Sequence, residues 1–219
     1  PWIGYFYKIQ KSDIFVFLDD VQFSKGSYQN RVKIKTPNGS LWLTVPVITK
    51  GKNFPKTNEI EINYKENWIT KHLKTLEASY KKAEYFDKYY PILKVIYEKK
   101  HKLLTTFCTD LIFEILNQLE INNKKIVCTS DFEIDNNLSA TDRLIYICQK
   151  LNATTYLSGK GGIKYQDEIL YKENNIKLIY TDFNVFEYNQ LWKGEFEAGL
   201  SIIDYLFNCD GEFFKLKIK

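Results

Sequence analysis

Apolar residues run unbroken from Ile14 to Leu18 (Ile-Phe-Val-Phe-Leu) and stop at Asp19-Asp20. A continuous apolar run of that length suits a strand buried on both faces, as in a parallel sheet. Residues 3–12, IGYFYKIQKS, read as a short helix ahead of it. A helix feeding such a strand wants a strand before it. That strand is expected upstream of Pro1, because the chain opens on PWIGYF inside structured sequence and contains no methionine.

The period then changes to strict alternation. RVKIKT (31–36) and LWLTVPV (41–47) flank PNGS, whose Asn-Gly pair predicts a hairpin turn. Residues 50–64 read as a Lys/Asn-rich loop ending in a short strand, IEINY. From about 66 to 120 the spacing is helical: Ile69, Leu73, Leu76 and Tyr80 mark one apolar stripe, Leu103, Phe107, Leu111 and Ile115 another. YFDKYYP is expected to break the two helices.

The last part is regular. Strands are predicted at 125–130 (KIVCTS), 154–159 (TTYLSG) and 176–183 (IKLIYTDF), with helices over 140–151 and 165–174 between them. Ser139-Ala-Thr-Asp142 has the pattern of an N-terminal capping box. Strand spacings of roughly 22 to 29 residues fit successive βαβ units with right-handed crossovers. The expected fold is α/β: a doubly wound, mostly parallel, Rossmann-like sheet with a β-hairpin plus helical insertion. Residues 1–219 then form a single α/β domain, and 32–120 the insertion within it.

Composition adjusts this picture little. A hydrophobic fraction of 44% supports a packed core, and 16 Tyr with 15 Phe leave aromatic surface for flat ligands such as sugars or bases. The net charge of +4 comes from interspersed residues, 31 basic and 27 acidic, so no basic stripe marks a nucleic-acid surface. Cys108, Cys128, Cys148 and Cys209 are far apart and set among apolar residues. They read as reduced buried thiols of a cytoplasmic protein, and neither they nor His72 and His101 have metal-ligand spacing. No run is long and apolar enough for a membrane span.

Candidate chemistry gathers where strands end, since open α/β sheets bind ligands outside the carboxyl ends of their strands. Asp19, Asp20 and Gln22 follow the first strand, Ser130 and Asp131 the second, and Asp182 the last. Ser158, Gly159, Lys160, Gly161 and Gly162 follow TTYL. This Gly-rich loop matches neither G-x-G-x-x-G nor G-x-x-x-x-G-K-[ST], so it either cradles an anion through its amides and Lys160 or only turns the chain. Asp19 and Asp20, with Gln22, Asn30 and Arg31 close behind, can hold an ammonium or Mg²⁺ beside a nucleotide; the bland reading pairs one of them with Arg31. His72 sits at the edge of an apolar stripe, as a packed residue or as a general base. Asp142 suits a helix's first turn, whereas Arg143 there calls for an anionic ligand or a carboxylate partner.

Several long stretches together resemble the WbqC-like family of bacterial polysaccharide-locus proteins. They are PWIGYFYKIQKSDIFVFLDDVQFSKGSYQNRVKIKTPNG, WLTVPV, WITKHLKTLEASYKKAEYF, ATDRLIYICQKLNATTYLSGKGGIKYQDE and LSIIDYLFN. Family members carry a further strand and a His-Gln-Pro-type sequence ahead of the Pro-Trp. The resemblance implies an enzyme of O-antigen or capsule biosynthesis that transfers an acyl or aminoacyl group, such as glycyl, to a nucleotide-linked amino sugar. It implies association with other enzymes of that pathway, and names no cofactor. On it, His72, Asp19 and Asp20 are the catalytic candidates. Gln22, Asn30, Arg31, Asp142, Arg143, Ser158–Gly162, Tyr165 and Asp167 bind substrate or phosphate. The alternative is a non-catalytic nucleotide-sugar-binding or scaffold module. The layout is also similar to the nucleotidylyltransferase group, which includes pantothenate synthetase and forms amides through an adenylate.

Overall fold

The computed structural model describes residues 1–51, 53–135 and 137–215. Along the chain lie α1 (Ile3–Lys11), β1 (Ile14–Phe17), β2 (Arg31–Thr36), β3 (Gly39–Thr44), β4 (Val47–Ile48) and β5 (Glu61–Ile62). Helices α2 (Trp68–Tyr80), α3 (Phe86–Glu98) and α4 (Leu104–Gln118) follow. Then come β6 (Lys125–Cys128), α5 (Ala140–Lys150), β7 (Thr155–Ser158), α6 (Glu168–Glu173), β8 (Lys177–Tyr180), α7 (Ile202–Cys209) and α8 (Glu212–Lys215). The fold is mixed α/β, with small parallel and antiparallel ladders and no barrel among the described residues.

The chain divides into two compact units. One holds Pro1–Phe6, Asp19–Asn123 and Val185–Lys219; the other holds Tyr7–Leu18 and Lys124–Asn184.

In the larger unit, β2 and β3 form the expected hairpin, in register from Arg31 against Thr44 to Thr36 against Gly39. Pro37 and Asn38 make the turn, and Gly39 takes φ +100°, a conformation costly for a side chain with a Cβ. The Thr36 hydroxyl fixes the turn from inside, donating to the Gly39 carbonyl and accepting from the Asn38 amide. The helical region differs from its sequence pattern. It forms three helices, and the predicted break YFDKYYP opens α3, with Pro91 inside the helix. Proline removes only one hydrogen bond this near the start. Burial of Phe86, Tyr89, Leu93, Ile96 and Tyr97 outweighs that loss, at about 1.5–3 kcal/mol per fully buried large side chain. In α4 the buried face is Leu104, Phe107, Ile112, Ile115 and Leu116 rather than a strict four-residue step from Leu103, which is the N-cap. These helices close with Phe23, Val45, Ile60, Ile62 and Trp68 into one apolar cluster.

The smaller unit is built of βα units. β1 pairs parallel with β6, and β7 parallel with β8. Helix α5 starts at the predicted box: the Ser139 hydroxyl accepts from the Asp142 amide and donates to the Asp142 carboxylate at 2.6 Å. Leu144, Ile145, Cys148, Tyr171 and Ile176 make its core, with Tyr156 stacked on Tyr171 at 5.6 Å.

Candidate functional site

In the smaller unit the loop after β7 is a structured turn. Lys160–Lys164 form a short 3₁₀ helix, and the Gly162 carbonyl accepts from the amides of Tyr165 and Gln166. Below it Ser158, only 2% exposed, accepts from the buried Gln166 side-chain amide at 3.0 Å. The three glycines have different reasons to be there. A Cβ on Gly162 would lie 2.3 Å from the Ser158 Oγ and 2.8 Å from the Gln166 Nε2, so only glycine fits. Gly159 and Gly161 have nothing within 4 Å of a Cβ and no positive φ, so neither is sterically required. Gly161 lies in the exposed rim of the loop, and Lys160 reaches Asn184 at 3.1 Å.

Around this loop, Asp167 caps α6 by accepting from the Ile169 and Leu170 amides, while its own amide bonds the buried Thr141 hydroxyl. Asp142 is engaged in the α5 box, and Arg143, next to it, is half-buried. Tyr165 is 62% exposed. At the end of β8, the Tyr7 hydroxyl donates to Asp182 at 2.8 Å. That hydrogen bond, the Asp182 amide and the charges of Lys11 and Lys160 hold the Asp182 carboxyl below its ordinary value. The Gln166 Oε1 is buried with no hydrogen-bond partner. Neither Tyr7 nor Gln166 was singled out from the sequence. Gln166 offered a signal only in its place within YQDE; Tyr7 offered none, because its partner lies 175 residues away.

The larger unit holds the other candidates. Asp19 and Asp20 are half-buried beyond β1, with the Asn58 side chain 3.5 Å from Asp19 and the Asn58 amide on the Asp19 carbonyl. Gln22 is exposed and bridges to Lys56 through the backbone. Asn30, 5% exposed, spends its amide group on the protein: it accepts from Gly26 and donates to the Val45 carbonyl. The Arg31 guanidinium lies over the Trp42 ring at 4.2 Å, and its Nε is buried without a hydrogen bond. Tyr28 meets the same indole edge-on. His72, 7% exposed, is wedged between Trp68 and Tyr97, with its Nδ1 3.5 Å from the Tyr97 hydroxyl. Burial pushes this imidazole down to about 4, against a smaller upward pull from the Thr44 backbone, so it is uncharged at neutral pH.

Among the described residues no group of three His, Cys, Asp or Glu side chains is arranged to hold a metal ion. No described helix is long and apolar enough to cross a membrane.

No solved structure matches the chain. It is similar to the uncharacterized protein Rv1507c of Mycobacterium tuberculosis (strain ATCC 25618 / H37Rv), with 36% identity over 214 residues that cover 97% of this chain and 90% of that protein. The model of the WbqC-like protein family matches residues 1–215. The chain therefore belongs to the WbqC-like protein family.

Proposed function

We propose that the chain is a cytoplasmic enzyme of bacterial surface-polysaccharide biosynthesis that transfers an acyl or aminoacyl group, such as glycyl, to the amine of a nucleotide-linked sugar. The observation that carries this reading is the loop after β7. Gly162 lets the backbone turn closely over buried Ser158 and Gln166, while Gly159, Lys160 and Gly161 form an open rim that presents amides and one cation. Such a rim suits a phosphate-bearing substrate. Arg143, Tyr165 and the capping residues Asp142 and Asp167 belong to the same reading as its borders. It takes the chain as one doubly wound α/β domain, with 32–120 as the insertion.

The chemistry requires that the sugar amine lose a proton as its nitrogen attacks the acyl carbonyl. The carbon–nitrogen bond forms, the bond to the leaving group breaks, and the leaving group takes up a proton. Among the proposed acid–base groups, Asp19 and Asp20 are partly open to solvent and can accept that proton or hold the substrate ammonium. His72 is proposed in a lesser role. A buried imidazole held at about 4 is a weak base, and its bond with the Thr44 backbone suits it to positioning β3. Gln22, Asn30 and Arg31 are assigned to substrate binding, with Asn30 acting through the loop it fixes.

The test is incubation of the protein with a UDP- or dTDP-linked 4-amino sugar, supplying glycine and ATP in one arm and an acyl-CoA in another. Mass spectrometry is expected to show the amide adduct in one arm, lost in Asp20→Asn. No mass shift with any donor, together with no nucleotide-sugar binding by calorimetry, sinks the proposal.

A further inference from the structure

On the hairpin of the larger unit, two cations share one indole. Side chains alternate along a strand, so Arg31 and Lys33 lie on the same face of β2, and Trp42 on β3 is the register partner of Lys33. The Arg31 Cζ stands 4.2 Å from the centre of the Trp42 ring, and the Lys33 Nζ 5.5 Å from it. Like charges gathered over one ring repel, and the indole offsets only part of that cost. Among the described residues no carboxylate forms an ion pair with either side chain. The buried Arg31 Nε has no hydrogen-bond partner. All three residues are half-buried, so salt and water screen the two charges less than they screen an exposed lysine.

The loop beside them is held by its own hydrogen bonds. The Asn30 Oδ1 accepts from the Gly26 amide at 3.2 Å, and the Gln29 Oε1 from the Ser24 amide at 2.6 Å. The Ser27 hydroxyl donates to the Ser24 carbonyl and accepts from the Gln29 amide. Gly26 takes φ +75°, and a Cβ there would lie 3.9 Å from the Arg31 Cζ, so this backbone passes along the guanidinium. The same loop presents Tyr28, 60% exposed, with its ring 5.6 Å from that of Trp42.

A forked cation, a second cation and an open aromatic ring thus meet at one place. The fork matches the oxygens of a phosphate, and an exposed tyrosine face takes a flat ring whatever its hydrogen-bonding edge. We propose that Arg31, Lys33, Tyr28 and Trp42 form a nucleoside-phosphate site, with the phosphate on the two cations and the base stacked on Tyr28. A bare anion would leave the tyrosine without a role, and an uncharged ring would leave the two cations uncompensated. The site belongs wholly to the larger unit and shares no residue with the Gly159–Gly161 rim of the smaller one. The chain then has two places for phosphate-bearing ligands. Two sources supply such a ligand here: the nucleotide of the sugar substrate, or the adenine nucleotide of ATP or an acyl-CoA. The inference deepens the assignment of Arg31 to substrate binding and rests on that reading.

The experiment titrates the chain with UMP, AMP and inorganic phosphate, reading affinity by calorimetry and the Trp42 indole N–H by heteronuclear NMR, with Trp42→Phe assigning that signal. At least one nucleotide is expected to shift it. Tighter UMP marks the sugar nucleotide as the source, tighter AMP the acyl donor, and equal affinity a site that reads phosphate and ring alone. Arg31→Lys keeps the charge but loses the fork, and is expected to weaken nucleotide binding by about tenfold or more. Tyr28→Ala is expected to weaken nucleotide binding by about tenfold and to leave inorganic phosphate binding unchanged. Lys160→Ala, at the other site, is expected to leave the Trp42 titration as it is. A Trp42 signal that no nucleotide moves overturns the proposal, as does parental nucleotide affinity in both Arg31→Lys and Tyr28→Ala. Nucleotide-sugar binding that depends on Lys160 and leaves Trp42 unmoved sinks this inference while the proposed activity stands. A Trp42 titration without amide formation in any donor arm does the reverse. Should Arg31→Lys fail to fold, Tyr28→Ala decides alone.

Discussion

At Gly162 the missing side chain is a requirement; at Gly161, one residue away, it is not. Gly162→Ala sets a methyl group against the Ser158 Oγ and Gln166 side chain, both buried, so the turn must open or the Ser158–Gln166 bond must break. An overpacked site of this kind costs about 1–3 kcal/mol. Gly161→Ala meets nothing and is expected to be neutral, or to stabilise by up to about 1 kcal/mol through the unfolded chain. Thermal melts of the two variants check this; equal shifts would refute the division of roles. Asp210 gives a second prediction at this scale. Burial raises its carboxyl, but hydrogen bonds from Lys215, Lys88 and Tyr89 outweigh burial and bring it down to about 2. A carboxyl lowered from 3.8 contributes stability that is full above about pH 4 and lost as pH falls toward 2. Asp210→Asn keeps a residue type that tolerates the φ of +52° while removing the charge. It is expected to cost on the order of 1–2 kcal/mol at pH 7, after discounting for solvent screening, and nothing near pH 2. Urea titrations at both pH values measure the difference.

Elements with one clear period were legible in the sequence. The β2–β3 hairpin alternates and carries its turn residues, and α5 announces itself through Ser139 and Asp142. The strand ends were legible as well, because apolar runs stop at polar residues. Which polar residues serve packing was not legible. Asn30 and Asp167 read as ligand groups, yet their side chains tie down the protein's own backbone. α3 was misjudged because Pro91 outvoted the apolar stripe around it. Its ring costs one bond near the helix start, while the stripe packs against α2 and α4 partners such as Trp68 and Phe107. Proline is exposed there, so Pro91→Ala regains the amide without disturbing the core. The variant is expected to stabilise by about 1–3 kcal/mol, read from the urea midpoint; a destabilised protein would mean that proline's restriction of the unfolded chain dominates.

At the scale of the whole molecule, the last segment was the least legible. Residues 185–219 return to the unit begun by the first six residues, and local pattern gives no sign of that return. The reason lies in Asp204. It sits 1% exposed in a mostly apolar α7, and an acidic residue inside Ile-Ile-Asp-Tyr-Leu-Phe reads locally as a surface position. Its partners come from far along the chain: the Tyr80 hydroxyl donates at 2.6 Å and the Tyr188 hydroxyl at 2.8 Å, while the Lys35 amide donates in turn to Tyr80. The network thus joins β2, α2, the 185–200 segment and α7 through one carboxylate. Burial raises the Asp204 carboxyl, and the two tyrosines and the Lys35 charge oppose that rise. A raised carboxyl favours folding most below its ordinary value of 3.8 and loses that contribution as pH climbs through the folded value. Asp204→Asn preserves an acceptor for one tyrosine and removes the titration. Its stability is therefore expected to vary less with pH across that window than the parent's. Asp204→Ala leaves two buried hydroxyls without their acceptor and is expected to cost about 2–4 kcal/mol. If Ala and Asn destabilise equally at every pH, the network contributes shape rather than hydrogen bonds, and the return of the last segment rests on the apolar face of α7 alone.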